Sequence, residues 1–169
     1  MIYFNGFSLD KEEELFKEYI VDTKFSVVGF SYGAIKAFEY AYSSKSRVDR
    51  LILLSPAFFQ NHKKSFIRTQ LKYFKIDKNS YIKNFLENVS YPSNIDLKKY
   101  LKVGTIEELE ALLSYIWSKD KLLELIERGV VVEVFIGGRD KIVESKESCD
   151  FFSKITTTYL LKEKGHLLK

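Results

Sequence analysis

The sequence predicts an α/β domain: about five mostly parallel strands in one sheet flanked by helices, with an all-helical insertion. Three observations predict it. Short apolar, β-branched runs alternate with segments of helical apolar spacing at both ends of the 169-residue chain. One such run, Phe25, Val27 and Val28, passes through Gly29-Phe30-Ser31-Tyr32-Gly33 into a segment with Ala34, Ala37, Phe38 and Ala41 on one helical face. Between residues 57 and 120 the alternation stops and only helical patterns remain.

Taken in order, Met1 to Phe4 read as a strand that ends at the turn Asn5-Gly6-Phe7. Asp10-Lys-Glu-Glu13 has the form of a capping box, and Leu15, Phe16 and Tyr19 supply an apolar face, so a helix is expected over 11–20. The strand at Phe25–Val28 and the helix after Gly33 follow. Leu51-Ile-Leu-Leu54, closed by Ser55-Pro56, reads as a third strand. Helices are expected over 64–75, 80–89, 95–103 and 106–119. Gly104 is a C-cap candidate, Thr105-Ile-Glu-Glu108 is a second capping box, and Leu109, Leu112, Leu113 and Ile116 form an apolar face.

The alternation resumes with a helix over 121–128, Gly129 as its C-cap and a strand over 130–136. The loop Gly137-Gly-Arg-Asp140, a helix over 144–153, a strand over 156–161 and the loop Lys162-Glu-Lys-Gly-His166 complete the chain. Such alternation implies a parallel sheet with right-handed crossovers. The expected organisation is one domain over residues 1–169. Its core is 1–56 and 121–169, and residues 57–120 form a helical lid.

Composition narrows the function classes. The chain is 46% hydrophobic and 30% charged with two prolines, which describes a folded globular protein. A net charge of +4, from 27 basic and 23 acidic residues, is too balanced for a nucleic-acid binder. No apolar run approaches the roughly 18 residues of a membrane span. The segment Met1-Ile-Tyr-Phe-Asn-Gly6 lacks the basic region and cleavage site of a signal peptide. Cys149 is the single cysteine, so neither an intramolecular disulfide nor a thiolate metal cluster can form. A cytoplasmic monomer without metal or organic cofactor is the expectation.

The chemistry starts at Ser31. Strand, G-x-S-x-G and helix are the context of a nucleophile elbow. The turn is so tight that Gly29 and Gly33 must lack side chains to avoid collision, and the strain lifts Oγ clear of the sheet. The first turn of the helix offers N–H groups to a developing oxyanion. A serine nucleophile needs a base. Of the two histidines, His62 lies among lysines at the start of the insertion, whereas His166 lies just past the carboxyl end of a strand. Loops at that edge of a parallel sheet form its site. Asp140 leaves the preceding strand at the same edge, where a carboxylate orients an imidazole. Alone, Asp140 reads as an Asx-turn residue and His166 as a tail residue; with the elbow they read as a triad. The Phe7 N–H and the Tyr32 N–H are the candidate oxyanion donors.

The order Ser31, Asp140, His166 and the motifs Gly-Phe-Ser31-Tyr-Gly, Gly-Gly-Arg-Asp140 and Gly-His166 resemble those of the α/β-hydrolases. Asn5-Gly6 stands where that family has His-Gly. The family's sheet order, 1-2-4-3-5-6-7-8, implies a truncation here. If the first strand matches the family's third, the missing strands lie on one side and the residues 1–4 strand becomes an edge. Over essentially the whole chain, including Leu54-Ser-Pro56-Ala-Phe-Phe59 and Leu101-Lys-Val-Gly-Thr-Ile-Glu-Glu108, the sequence resembles the short pimeloyl-(acyl-carrier protein) methyl ester esterases of bacterial biotin synthesis, the BioV type. That resemblance implies a serine carboxylesterase whose partner is an acyl-carrier protein bearing the substrate.

One feature of the residues themselves fits such a partner. Lys64, Arg68, Lys72 and Lys75 fall on one stripe of a predicted helix whose opposite face carries Phe66, Ile67, Tyr73 and Phe74. A basic rim beside an apolar tunnel suits an acidic carrier with an acyl arm; a solvated helix face explains the stripe equally well. A general short-chain ester or thioester hydrolase, and a non-catalytic binding module on a hydrolase fold, remain the other readings.

Overall fold

The computed structural model describes residues 1–169. Five strands, β1 (Ile2–Phe4), β2 (Ser26–Phe30), β3 (Arg50–Leu54), β4 (Val131–Gly137) and β5 (Thr157–Leu161), pair in the order β1-β2-β3-β4-β5. All four pairings are parallel. This is the unbroken truncated sheet expected from sequence, with β1 at one edge.

Strand periodicity sorts the core into two layers. Leu51 and Leu53 of β3 point to one face with Val27, Val132 and Val134; Ile52 and Leu54 point to the other with Val28 and Phe30. The first face is covered by α1 (Tyr32–Ser43), α5 (Lys119–Glu127) and α6 (Ser145–Phe152), through Ala34, Ala37, Phe38, Leu122, Leu125 and Phe152. The second is covered by the end of the helix that carries Val89 and by short turns and loops carrying Phe16, Leu97, Tyr100, Leu167 and Leu168. Each fully buried side chain of this kind contributes about 1.5–3 kcal/mol.

Between β3 and α5 the chain builds α2 (Lys64–Ile76), α3 (Lys78–Ser90) and α4 (Ile106–Ser114). Asp77 caps α3 by accepting from the Ser80 N–H at 3.0 Å, and the Thr105–Glu108 capping box opens α4 as predicted. Gly129, with φ +86°, closes α5 as predicted.

Four expectations are corrected. The helix over 11–20 is only a 3-10 turn, Glu12–Phe16, preceded by Lys11 in the left-handed region at φ 61°. Asp10 does not cap it; its Oδ1 accepts from Asn5 Nδ2 at 3.0 Å, while Glu12 turns inward. The helix over 95–103 is a 3-10 turn, Lys98–Tyr100. Its backbone pairs instead with residues 8–10: Asp10 N–H donates to Tyr100 O at 2.8 Å and Lys102 N–H to Ser8 O at 3.1 Å. Long-range pairing here overrides local helix propensity. Gly104 is no C-cap. A Cβ there would stand 2.5 Å from the Phe7 ring, so glycine is required by close approach. Finally, α4 ends at Ser114, so Ile116 is exposed and Trp117 turns into the core, donating Nε1–H to Ala57 O at 2.9 Å.

Candidate active site

Ser31 stands between β2 and α1 with φ 54° and ψ −114°, a region L residues rarely occupy. The surrounding packing enforces it. A Cβ on Gly29 would lie 2.2 Å from Gly33 O, and one on Gly33 would lie 1.9 Å from Phe4 O. The steric demand read from the pentad is therefore met at both glycines. Ser31 N–H is tied to Leu54 O at 2.9 Å, and Ser31 O accepts from Ala57 N–H at 3.1 Å. The side chain itself lines a cavity of about 710 Å3.

At the same sheet edge Asp140 and His166 meet. Asp140 Oδ2 accepts from His166 Nδ1 at 2.6 Å, with side chains 2% and 0% exposed. Asp140 Oδ1 meanwhile accepts from the N–H groups of Ile142 and Val143, at 2.7 and 3.0 Å. The carboxylate is thus both an Asx-turn residue and the imidazole's partner. His166 Nε2 is buried and has no hydrogen-bond partner; none joins it to Ser31 Oγ. Serine–histidine bonds in unliganded sites are commonly long and close only with substrate. Nδ1–H on Asp140 leaves Nε2 as the free acceptor.

Sequence reasoning missed several residues that place His166. Ser55, at φ 41°, donates Oγ–H to His166 O at 2.6 Å, which ties the histidine loop to the end of β3. Phe30 packs its ring 5.1 Å from the imidazole. Gly165 admits no Cβ, which would stand 1.8 Å from Tyr91 O. The position of Ser55 at a strand's carboxyl end was the available signal for its part.

Phe7 is buried and lines the same cavity as Ser31. Its N–H donates to no protein group, and Tyr32 N–H, at the first position of α1, has no partner one turn back. The cavity wall continues through Phe59, Phe66, Tyr73, Tyr81, Phe85 and Leu112. Burial pushes the Tyr81 phenol up to about 12, so it stays neutral. His62 also lines the cavity, stacked on Phe66 at 4.2 Å, with no bond to Ser31. Ile67 and Phe74, expected on the apolar wall, pack into the core instead. Lys64, Arg68, Lys72 and Lys75 are all exposed on α2, and none forms an ion pair. No cluster of His, Cys, Asp and Glu has the geometry of a metal site, and no helix is long and apolar enough to cross a membrane.

Under the Asn5–Phe7 turn lies Glu12, fully buried. Burial, only partly offset by bonds from Gly6 N–H and the Tyr3 hydroxyl, raises its carboxyl above the usual range; Glu13 adds repulsion. A carboxyl raised on folding contributes stability that is present at acid pH and lost as pH rises through its folded value. In thermal unfolding, the stability of Glu12→Gln relative to wild type should therefore increase from acid to neutral pH. A difference that shrinks over that range would contradict the assigned direction.

A parallel sheet with Ser31 on a strand-to-helix elbow and a buried Asp140–His166 pair at the same edge defines an α/β-hydrolase-like fold. The family model described as serine aminopeptidase, S33, matches residues 13–166, and the chain belongs to that hydrolase family. No curated protein matches the chain significantly. Among solved structures it is similar to a lipase-esterase related protein from Clostridium acetobutylicum, with a TM-score of 0.67 and 14% identity over 99% of this chain and 86% of that one. An esterase from Exiguobacterium antarcticum gives 0.65 and 19% over 82% of this chain, which spans only 58% of the esterase. BioG from Haemophilus influenzae gives 0.61 and 11%, over 98% and 87% of the two chains. At such identities the likeness shows the fold.

Proposed function

We propose that the protein is a serine carboxylesterase that hydrolyses the terminal methyl ester of pimeloyl-(acyl-carrier protein) methyl ester. The observation that carries the esterase reading is the buried Asp140–His166 pair, its Nε2 unpartnered, at the edge where strained Ser31 lines an apolar cavity. His166 takes the Ser31 proton as Oγ attacks the ester carbonyl. The Phe7 and Tyr32 amides hold the tetrahedral oxyanion. Methanol leaves with the proton from His166, and water, deprotonated in turn by His166, releases the acid. Turnover of p-nitrophenyl acetate separates an esterase from a non-catalytic module: no acyl-enzyme and no turnover would sink the reading.

The substrate rests on the whole-chain resemblance and is supported by two features. The cavity of about 710 Å3 is ample for a seven-carbon acyl chain. The unpaired cations of α2 offer an acidic carrier a docking rim. Residues 57–120 act in this reading as a lid that holds the chain against the sheet. Reversing charge at Arg68 and Lys72 should raise KM for the carrier-bound ester by about tenfold and leave a small free ester nearly unaffected. High salt should imitate the mutations for the first substrate only. Equal losses on both would mean that the stripe is structural.

A further inference from the structure

We infer that Glu12 is a positioning residue for the oxyanion hole, an assignment that rests on the esterase reading. The turn after β1 must present the Phe7 N–H to the cavity and keep its neighbours from competing. Two bonds do this. Gly6 N–H donates to Glu12 Oε1 at 2.7 Å, which draws the first amide of the turn down into the core. Gly6 O accepts from Leu9 N–H at 3.3 Å. Because the Gly6–Phe7 peptide is planar and trans, pinning its carbonyl one way aims its N–H the other. That N–H, on a residue that lines the cavity with Ser31, is left without a partner.

Glu12 is built in for this. It is 0% exposed, its Oε1 also accepts from the Tyr3 hydroxyl at 3.3 Å, and its Oε2 has no partner at all. A buried carboxyl with an orphaned oxygen is costly, and an apolar side chain of equal size would serve packing as well or better. What an apolar residue cannot supply is an acceptor for Gly6 N–H. Asn5 closes the turn from outside, with Nδ2 on Asp10 Oδ1 and Oδ1 accepting from Lys11 N–H at 3.1 Å, so Glu12 reaches the turn at a fixed distance.

The test compares Glu12→Met, which keeps volume and removes the acceptor, Glu12→Asp, which keeps charge but falls short of Gly6, and Glu12→Gln, which keeps an acceptor oxygen in place. With p-nitrophenyl acetate, the Met and Asp variants should lose about 100-fold in kcat with KM little changed, because the misplaced donor acts only in the transition state. Gln should restore most of the rate. Labelling of Ser31 by a fluorophosphonate, whose phosphoryl oxygen enters the same hole as fluoride leaves, should slow in parallel. A folded Met variant with wild-type kcat and labelling rate would overturn the assignment, as would losses confined to KM. Unfolding of both Met and Asp variants would also overturn it, since Glu12 would then serve stability. Should the wild-type protein take no label on Ser31, the esterase reading fails first and the inference with it.

Discussion

Ser31→Ala, His166→Ala and Asp140→Asn are each expected to cut ester turnover by about 10⁴-fold or more while leaving the fold intact. The Asp140 variant is the most informative. An Asn Oδ1 can still accept from the Ile142 and Val143 N–H groups, so the loop is preserved. Its amide nitrogen, however, faces His166 Nδ1 and drives the proton to Nε2, which removes the base without removing the imidazole. The residues act as a unit, so the double Ser31/His166 variant should be little worse than either single one. His62→Ala, which only unstacks a cavity-lining Phe66, should change KM more than kcat. Near-normal kcat in His166→Ala together with its loss in His62→Ala would mean that the wrong histidine was assigned.

The second large effect concerns chain length. The proposed substrate offers two carbonyls, and the thioester is intrinsically the more reactive toward a serine. Selectivity for the methyl ester must come from placement, because attack needs the reacting atoms about 3–3.5 Å apart. In the proposed docking of the carrier on the exposed α2 stripe, its thioester would stop near the rim and the chain would run inward past Tyr73 and Phe66, which line the cavity with Ser31. Only the far ester arrives. Carrier-bound methyl esters of shorter diacids should then react on the order of 100-fold more slowly, since an ångström of misplacement costs about that much. The same short diesters free in solution should react well. Comparable rates for short and full-length carrier-bound chains would favour a loose, general esterase.

Much of the site was legible because its signals are local. The elbow is a pentad read within five residues, and Gly29 answers to Gly33 O of the same turn. Asp140 and His166 could be paired before any coordinates because both follow strands, and parallel strands send such loops to one edge. The strand order followed from truncating one side of the family's sheet. What stayed hidden depends on contacts distant in sequence. Glu12 sits inside a predicted capping box whose acid is Glu13, and only the approach of the Gly6 amide makes Glu12 a buried ligand of the turn. Residues 95–103 carry helix-forming side chains, yet their backbone is claimed by Ser8 and Asp10. Gly104 is small for the sake of Phe7, nearly a hundred residues earlier in the chain. Ser55 binds the backbone of His166 far along the chain, and its place at a strand's carboxyl end was the one signal of that contact.

The most direct test of the account is mass spectrometry of methyl pimeloyl-carrier protein after incubation with the protein. The account predicts that the intact acyl-carrier species loses the mass of one methylene, as methyl ester becomes acid, with the thioester uncleaved and the Ser31→Ala protein inactive. Release of free carrier protein in place of that product would show that the thioester is the bond attacked, and would contradict both the substrate and the docking geometry proposed for it.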